Sequence, residues 1–287
     1  MIFAAFRGEL FKLVRRPAVW VLVILLLGLA ILLGYVVSYL FDTFGSAAAS
    51  QGLPKGTTLA DFKVALYPEN FIKDTFSTWS VLGGVFALIL GVLVQGSEYG
   101  WGTMKTLYTQ RAGRLTMLFG KVAALAVVVL TMVVALFAVD AAASTVVALI
   151  DGKPINFPGA GEIVKAVLAG LLMYGFWAAF GFGLATVFKQ SAMAIGLGLA
   201  YALVIELLVF GLLRGFGAKV VPQIEQWFPI ANTGYLANSF GQIQFKGIPP
   251  TPAPFADATH AVLMLLLYVA AFTALSAWLS RTRDITA

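Results

Sequence analysis

Few residues of this chain could do chemistry, and their types narrow what that chemistry can be. Cysteine is absent and histidine occurs once, at His260. Thiolate nucleophiles, disulfides, iron–sulfur clusters, Cys/His zinc sites and the two-histidine metalloprotease motif are therefore excluded. His260 follows Asp257 by three residues, a spacing that reads as a capped helix start rather than a catalytic dyad. A phosphate-cradling loop needs Gly-x-x-x-x-Gly-Lys-Ser/Thr. The nearest approach, Gly120-Lys121, continues into Val122 at the mouth of an apolar run, so no nucleotide site is expected. What remains is two carboxylates, Asp140 and Glu206, each inside a long apolar stretch. An ionised carboxylate at the centre of a bilayer costs at least about 2.5–3.5 kcal/mol, which makes both candidates for lining a substrate path. Each also has a structural alternative. Asp140 sits some 27 Å along its helix, within reach of the outer interface, where Ser144 one turn later offers a hydrogen bond; Glu206, some 21 Å along, could serve packing. No catalytic residue and no metal site are expected.

The elements that hold these residues follow from composition. Of 287 residues, 60% are hydrophobic and 11% charged, against roughly 45–50% and about 25% in an ordinary soluble domain. A bilayer core of about 30 Å needs roughly 20 consecutive apolar helical residues. Six stretches qualify, at 17–41, 76–95, 122–150, 166–188, 192–213 and 261–279. The first exceeds the about 7–15 apolar residues of a cleavable signal core and reads as a retained span. The expected fold is an all-α integral membrane protein, one permease-like domain over residues 1–287, with both termini on one side. Taking that side as cytoplasmic places eleven of the 19 basic residues inside with only three acidic ones, while eight basic face eight acidic outside. The net charge of +6 is thus a topology signal. Nucleic acid needs a contiguous basic stripe, and none remains.

Residues 1–16 read as an amphipathic interfacial helix, with Ile2, Phe3, Phe6, Leu10, Leu13 and Val14 in one sector and Glu9, Lys12, Arg15 and Arg16 opposite. Pro17 then opens the first span. The outer segments 42–75 and 214–258 are long enough to expect short helices. In the first, residues 57–67 should bury Leu59, Phe62 and Leu66 and stop at Pro68. On the fifth span Ala192, Gly196 and Ala200 recur every four residues, a small stripe that lets another helix approach closely, with Glu206 rotated about 80° from it. The inner loop 97–121 differs from every other connection. Its middle predicts a helix of two to three turns starting near Thr103, with Met104, Leu107 and Tyr108 on one face and Lys105 at the polar rim. Such a face suits either docking of a partner or an interfacial helix whose Trp101 and Tyr108 sit among lipid headgroups.

At these residues the sequence resembles the ABC type-two permease family, the membrane subunits of ATP-driven exporters. Glu98, Gly102-Thr103, Leu107, Arg114 and Gly120-Lys121 are similar to the family's signature between spans two and three. Glu9-Leu10, Lys12-Leu13 and Arg15-Arg16-Pro17 resemble its N-terminal helix, and Lys189-Gln190-Ser191-Ala192 with Ala194-Ile195-Gly196 resembles its short inner turn and fifth span. A proline often found just before the loop arginine is replaced here by Gln110-Arg111. The resemblance implies two six-span subunits, identical or different, in the inner membrane of a prokaryote. Each would present a coupling helix, from Glu98 through Gly102, Thr103, Met104, Lys105, Leu107, Tyr108 and Arg111 to Arg114, to a separate ATP-binding subunit. ATP and magnesium would reside on that partner, with no cofactor in this chain. The rival readings are a secondary transporter using Asp140 and Glu206, which would call for inverted repeats not visible in the sequence, and a noncatalytic membrane scaffold.

Overall fold

A computed structural model describes residues 2–45, 58–100, 113–217, 220–245, 248 and 254–282. Among these the chain is helical and contains no strand. Helix α1, Ile2–Val14, is followed by Arg16 in extended conformation and by Pro17 at the first position of α2, where its missing N–H costs no hydrogen bond. Helix α2 spans Pro17–Phe44, and its middle, Ala30–Val37, is wound as a π-helix. A 3₁₀ run, Leu59–Leu66, opens on a capping box in which the Thr58 N–H and hydroxyl both donate to Asp61 Oδ2, at 2.7 and 2.8 Å. It buries Leu59 and Leu66 and leaves Phe62 half-buried. A turn at Pro68–Asn70 leads directly into α3, Phe71–Gly100.

The remaining helices are α4 (Arg114–Ile150), α5 (Ala160–Phe188), α6 (Ser191–Gly215, π-wound at Tyr201–Ile205), α7 (Val221–Glu225), α8 (Pro229–Asn238) and α9 (Ala258–Thr282). Six of them, α2, α3, α4, α5, α6 and α9, are long and apolar enough to cross a membrane. Each expected span is present. The second and third begin five to eight residues earlier than their apolar runs, at Phe71 and Arg114. The turn between α5 and α6 is closed by Lys189, held left-handed at φ 53°.

Helix α3 is the hub, packed against α2, α4, α5, α6 and α8. Its tightest crossing is with α5 and rests on paired glycines. A Cβ on Gly91 would strike the backbone of Ala178, and one on Gly181 would strike the backbone of Leu88. Trp177, fully buried, fills the space beside Gly84, and the Tyr174 hydroxyl passes Gly83 to donate to the Trp79 carbonyl at 2.8 Å. Lipid offers apolar side chains no driving force for leaving it, so such backbone approach and its dispersion contacts carry the association.

Helix α1 lies across the start of α4. The crossing point is Gly120, where a Cβ would come 2.9 Å from Ala5 Cβ and 3.0 Å from the Phe6 nitrogen. Its buried residues are Glu9 and Leu13, whereas Ile2, Phe3, Phe11 and Val14 are exposed. The side that meets protein thus runs through Phe6, Leu10 and Leu13 of the apolar sector and takes in Glu9 as well, while Lys12 stays about half exposed. The sequence pattern points Glu9 at water; the protein beneath covers it instead.

Candidate functional site

The densest polar network lies where α1, α2, α3 and α4 meet, at the end of the bundle from which residues 101–112 emerge. Glu98, in the last turn of α3, is 5% exposed. One carboxylate oxygen takes the Lys12 ammonium of α1 at 2.8 Å and the other takes Lys121 of α4. Lys121, itself buried, also donates to Gln95 Oε1 at 3.2 Å, one helical turn before Glu98 on the same face of α3. Lys12 bonds Glu9 at 2.7 Å as well, so one ammonium bridges two carboxylates. Arg16, at the head of α2, donates to the Leu93 carbonyl at 2.8 Å and to Ser97 Oγ at 2.9 Å. Four helices are thereby tied at one point. Gly120 and Lys121 act together there, the glycine admitting α1 and the lysine joining α4 to Glu98.

The charges of this network are unequal. Burial pushes the Glu9 carboxyl above its ordinary value, and its share of Lys12 only partly offsets this. Burial pulls Lys12 down, but the two carboxylates it bridges outweigh that and leave its ammonium above its ordinary value. Burial lowers the Arg16 guanidinium, against the field of Glu98.

Of the residues expected to form the coupling segment, Gly102, Thr103, Met104, Lys105, Leu107, Tyr108 and Arg111 lie outside the described residues. The two ends of the segment are described. Glu98 is the hub above, and Arg114 opens α4 and points to the last turn of α9, its guanidinium 3.5 and 3.4 Å from the carbonyls of Ser280 and Arg281. A cation at a helix C-terminus meets carbonyls that have no intrahelical partner. Both flanking charges are therefore directed into the bundle.

Asp140 and Glu206 do not converge. Asp140 is 1% exposed and accepts the Thr75 hydroxyl of α3 at 2.6 Å on Oδ2, while Oδ1 has no hydrogen-bond partner among the described residues. Ser144 bonds the Ala141 carbonyl rather than Asp140. The buried hydroxyl of Tyr35, in the π-wound part of α2, also lacks a partner among the described residues. Glu206 is 4% exposed and closes the start of α8. Its Oε2 accepts Tyr201 at 2.7 Å and the Ile230 N–H at 3.2 Å, and Oε1 accepts the Ala231 N–H at 3.0 Å. These are free N–H groups of a helix N-terminus, which a carboxylate satisfies best. Helix α8, with Asn232 and Thr233 fully buried, is folded back against α3 and α9.

Of the stripe Ala192, Gly196 and Ala200, only Ala200 is half-buried among the described residues. Ala192 and Gly196 are exposed, and no atom lies within 4 Å of a Cβ built on Gly196. The small residues that pack are Ala194, Gly198 and Ala202, with Gly198 against Leu88 and Leu184. Glu206 follows that buried row. Each π-wound turn holds an extra residue, so the rotation counted on an ideal helix does not carry across Tyr201–Ile205. His260 is as expected: its N–H donates to Asp257 Oδ1 at 2.9 Å.

Two residues that the sequence reading passes over lie at the opposite end of α3. Because the helix starts at Phe71, Lys73 and Asp74 belong to it, and both line a cavity of about 600 Å³ between α3, the 3₁₀ run, α8 and the segment following α8. A signal was present: the turn proline Pro68 falls just before Phe71, where a helix is free to begin. Also at this end, Asp151 at the close of α4 gathers Tyr39 at 2.9 Å, Tyr67 at 3.0 Å and Lys63 at 3.5 Å. Partial burial opposes its charge, but these donors hold its carboxyl below the ordinary carboxylate range. Burial, and then Asp151 itself, push the Tyr67 hydroxyl up to about 12.

The six-helix membrane architecture and the charged knot before the 101–112 segment accord with what the chain matches. The family model described as ABC-2 family transporter protein aligns with residues 4–285, so the chain belongs to that family, whose members are the membrane components of ABC transporters. No curated protein matches it.

Proposed function

We propose that this chain is the permease of an ATP-driven exporter, one of two six-span subunits in a prokaryotic inner membrane. It would receive its drive from a separate ATP-binding subunit that docks on the segment from Glu98 to Arg114. In this reading ATP and magnesium are bound by the partner, and no cofactor belongs to this chain. The observation that carries the proposal is the anchoring of both ends of that segment. A displacement of residues 101–112 is passed through Glu98 to α1 and α4, and through Arg114 to α9. A docked ATPase that moves this loop would bias the spans between two packings without chemistry in the membrane.

The test is association. Leu107→Asp places a charge on the expected docking face and should abolish co-purification with the ATP-binding subunit in detergent while membrane insertion is retained. Lys105→Ala, at the rim, should weaken it less. Undiminished association of Leu107→Asp would overturn the assignment.

A further inference from the structure

The cavity of about 600 Å³ beside the start of α3 falls within the size range of small-molecule sites, about 300–1,000 Å³. Its walls are aromatic: Phe62 and Phe245 pack on each other in a tilted pair with ring centroids 4.9 Å apart, and Phe76 closes the α3 side. Its polar groups are of two opposite charges that do not neutralise each other. Asp74 makes no side-chain hydrogen bond or ion pair with any described residue, although Lys73 is its neighbour in the chain and lines the same space. The Lys73 ammonium gives one bond to Asn70 Oδ1 at 3.1 Å, which leaves two of its three donors unspent.

A carboxylate without a partner at the edge of a membrane helix is costly unless something pairs with it. A simple cation would meet Lys73 as well, and a simple anion would meet Asp74. A molecule carrying both charges satisfies the two together, and its apolar part fits against the phenylalanine rings that line the cavity. We infer that this cavity binds a zwitterionic amphipathic molecule, its ammonium on Asp74, its anionic group on Lys73 and its apolar portion among Phe62, Phe76 and Phe245. Binding here is a property of this chain alone and does not rest on the export reading.

The experiment uses the full chain in an uncharged maltoside detergent, without ATP or an ATP-binding subunit. Three single-chain probes are titrated and counted by native mass spectrometry: lysophosphatidylethanolamine, which is zwitterionic, lysophosphatidylglycerol, which is anionic, and dodecyltrimethylammonium, which is cationic. The expected result is one saturable lysophosphatidylethanolamine per chain, with at least about tenfold weaker binding of the other two. Asp74→Asn and Lys73→Gln should each weaken the zwitterion at least about tenfold, and Ser77→Trp, an exposed position that would fill the cavity, should abolish it. Melting temperature separates loss of binding from loss of fold, and Ser77→Trp, outside the core, retains the test if an Asp74 variant does not fold. Equal binding of all three probes, or zwitterion binding indifferent to Asp74→Asn and Ser77→Trp, would overturn the inference. Stronger binding of dodecyltrimethylammonium, lost in Asp74→Asn alone, would overturn the zwitterionic class.

Discussion

At the scale of single residues, Glu98 carries the most consequence. Two ammonium groups meet one buried carboxylate, and a buried pair broken by removing one partner loses about 3–5 kcal/mol because the other charge is stranded. Glu98→Gln and Lys121→Met should each lower the melting temperature in detergent strongly, and the double variant should lose clearly less than the two losses added together. Additive losses would mean that the pair is not coupled. Glu9 makes the opposite case. Its carboxyl is raised above the ordinary 4.5 by burial, so the stability that the neutral form contributes is complete below that value and is lost as pH rises through the raised one. Glu9→Gln keeps a neutral group at every pH. Its melting temperature relative to the parent chain should therefore climb as pH rises above the ordinary 4.5, and a constant difference would contradict the burial argument. Neither behaviour is legible in the sequence. Glu98 and Lys121 are separated by the whole inner loop, and only the crossing of α1 over Gly120 reveals that Glu9 is covered rather than wetted.

At the scale of elements, hydropathy locates all six spans because each needs some 20 apolar residues, and no other arrangement satisfies the backbone in lipid. It misplaces the starts of α3 and α4, since a helix continues past its apolar run wherever polar groups find partners, as Thr75 does at Asp140. Helix facing is harder to read. Small residues spaced by four mark a packing row, but α6 carries two such rows, and the one through Gly198, not Gly196, meets α3. Gly91→Leu should therefore destabilise the chain by at least about 1–3 kcal/mol, through collision with the Ala178 backbone, while Gly196→Leu leaves the melting temperature of the isolated subunit unchanged. If the Gly196 row instead meets a second subunit, the same leucine should shift the complex from dimer to monomer in size-exclusion with light scattering. An unaltered dimer would leave that row facing lipid.

At the scale of the whole molecule, the two ends of the bundle are built differently. One end gathers Glu9, Lys12, Glu98 and Lys121 into a knot; the other holds Asp151 with its three donors, the folded-back α8 and the cavity of Lys73 and Asp74. A permease driven from the loop end should transport in sealed vesicles that contain ATP, whether or not a proton or sodium gradient is imposed. Transport on a gradient without ATP would overturn that reading and return attention to Asp140, whose Oδ1 has no partner among the described residues. The family is legible from the sequence because its signature lies in order along one chain. The cavity is not, because its walls come from segments far apart in sequence.

The π-wound turn at Tyr201–Ile205 bears on how relatives of this chain can differ. A turn of that kind is an α-helix with one residue inserted, and removing the insertion rotates everything beyond it by about 100°. A homologue lacking a single residue there would align across a one-position gap yet turn the counterpart of Glu206 away from the α8 amides. Such gaps, rather than substitutions at Glu206, are where divergence in the placement of α8 should first be sought.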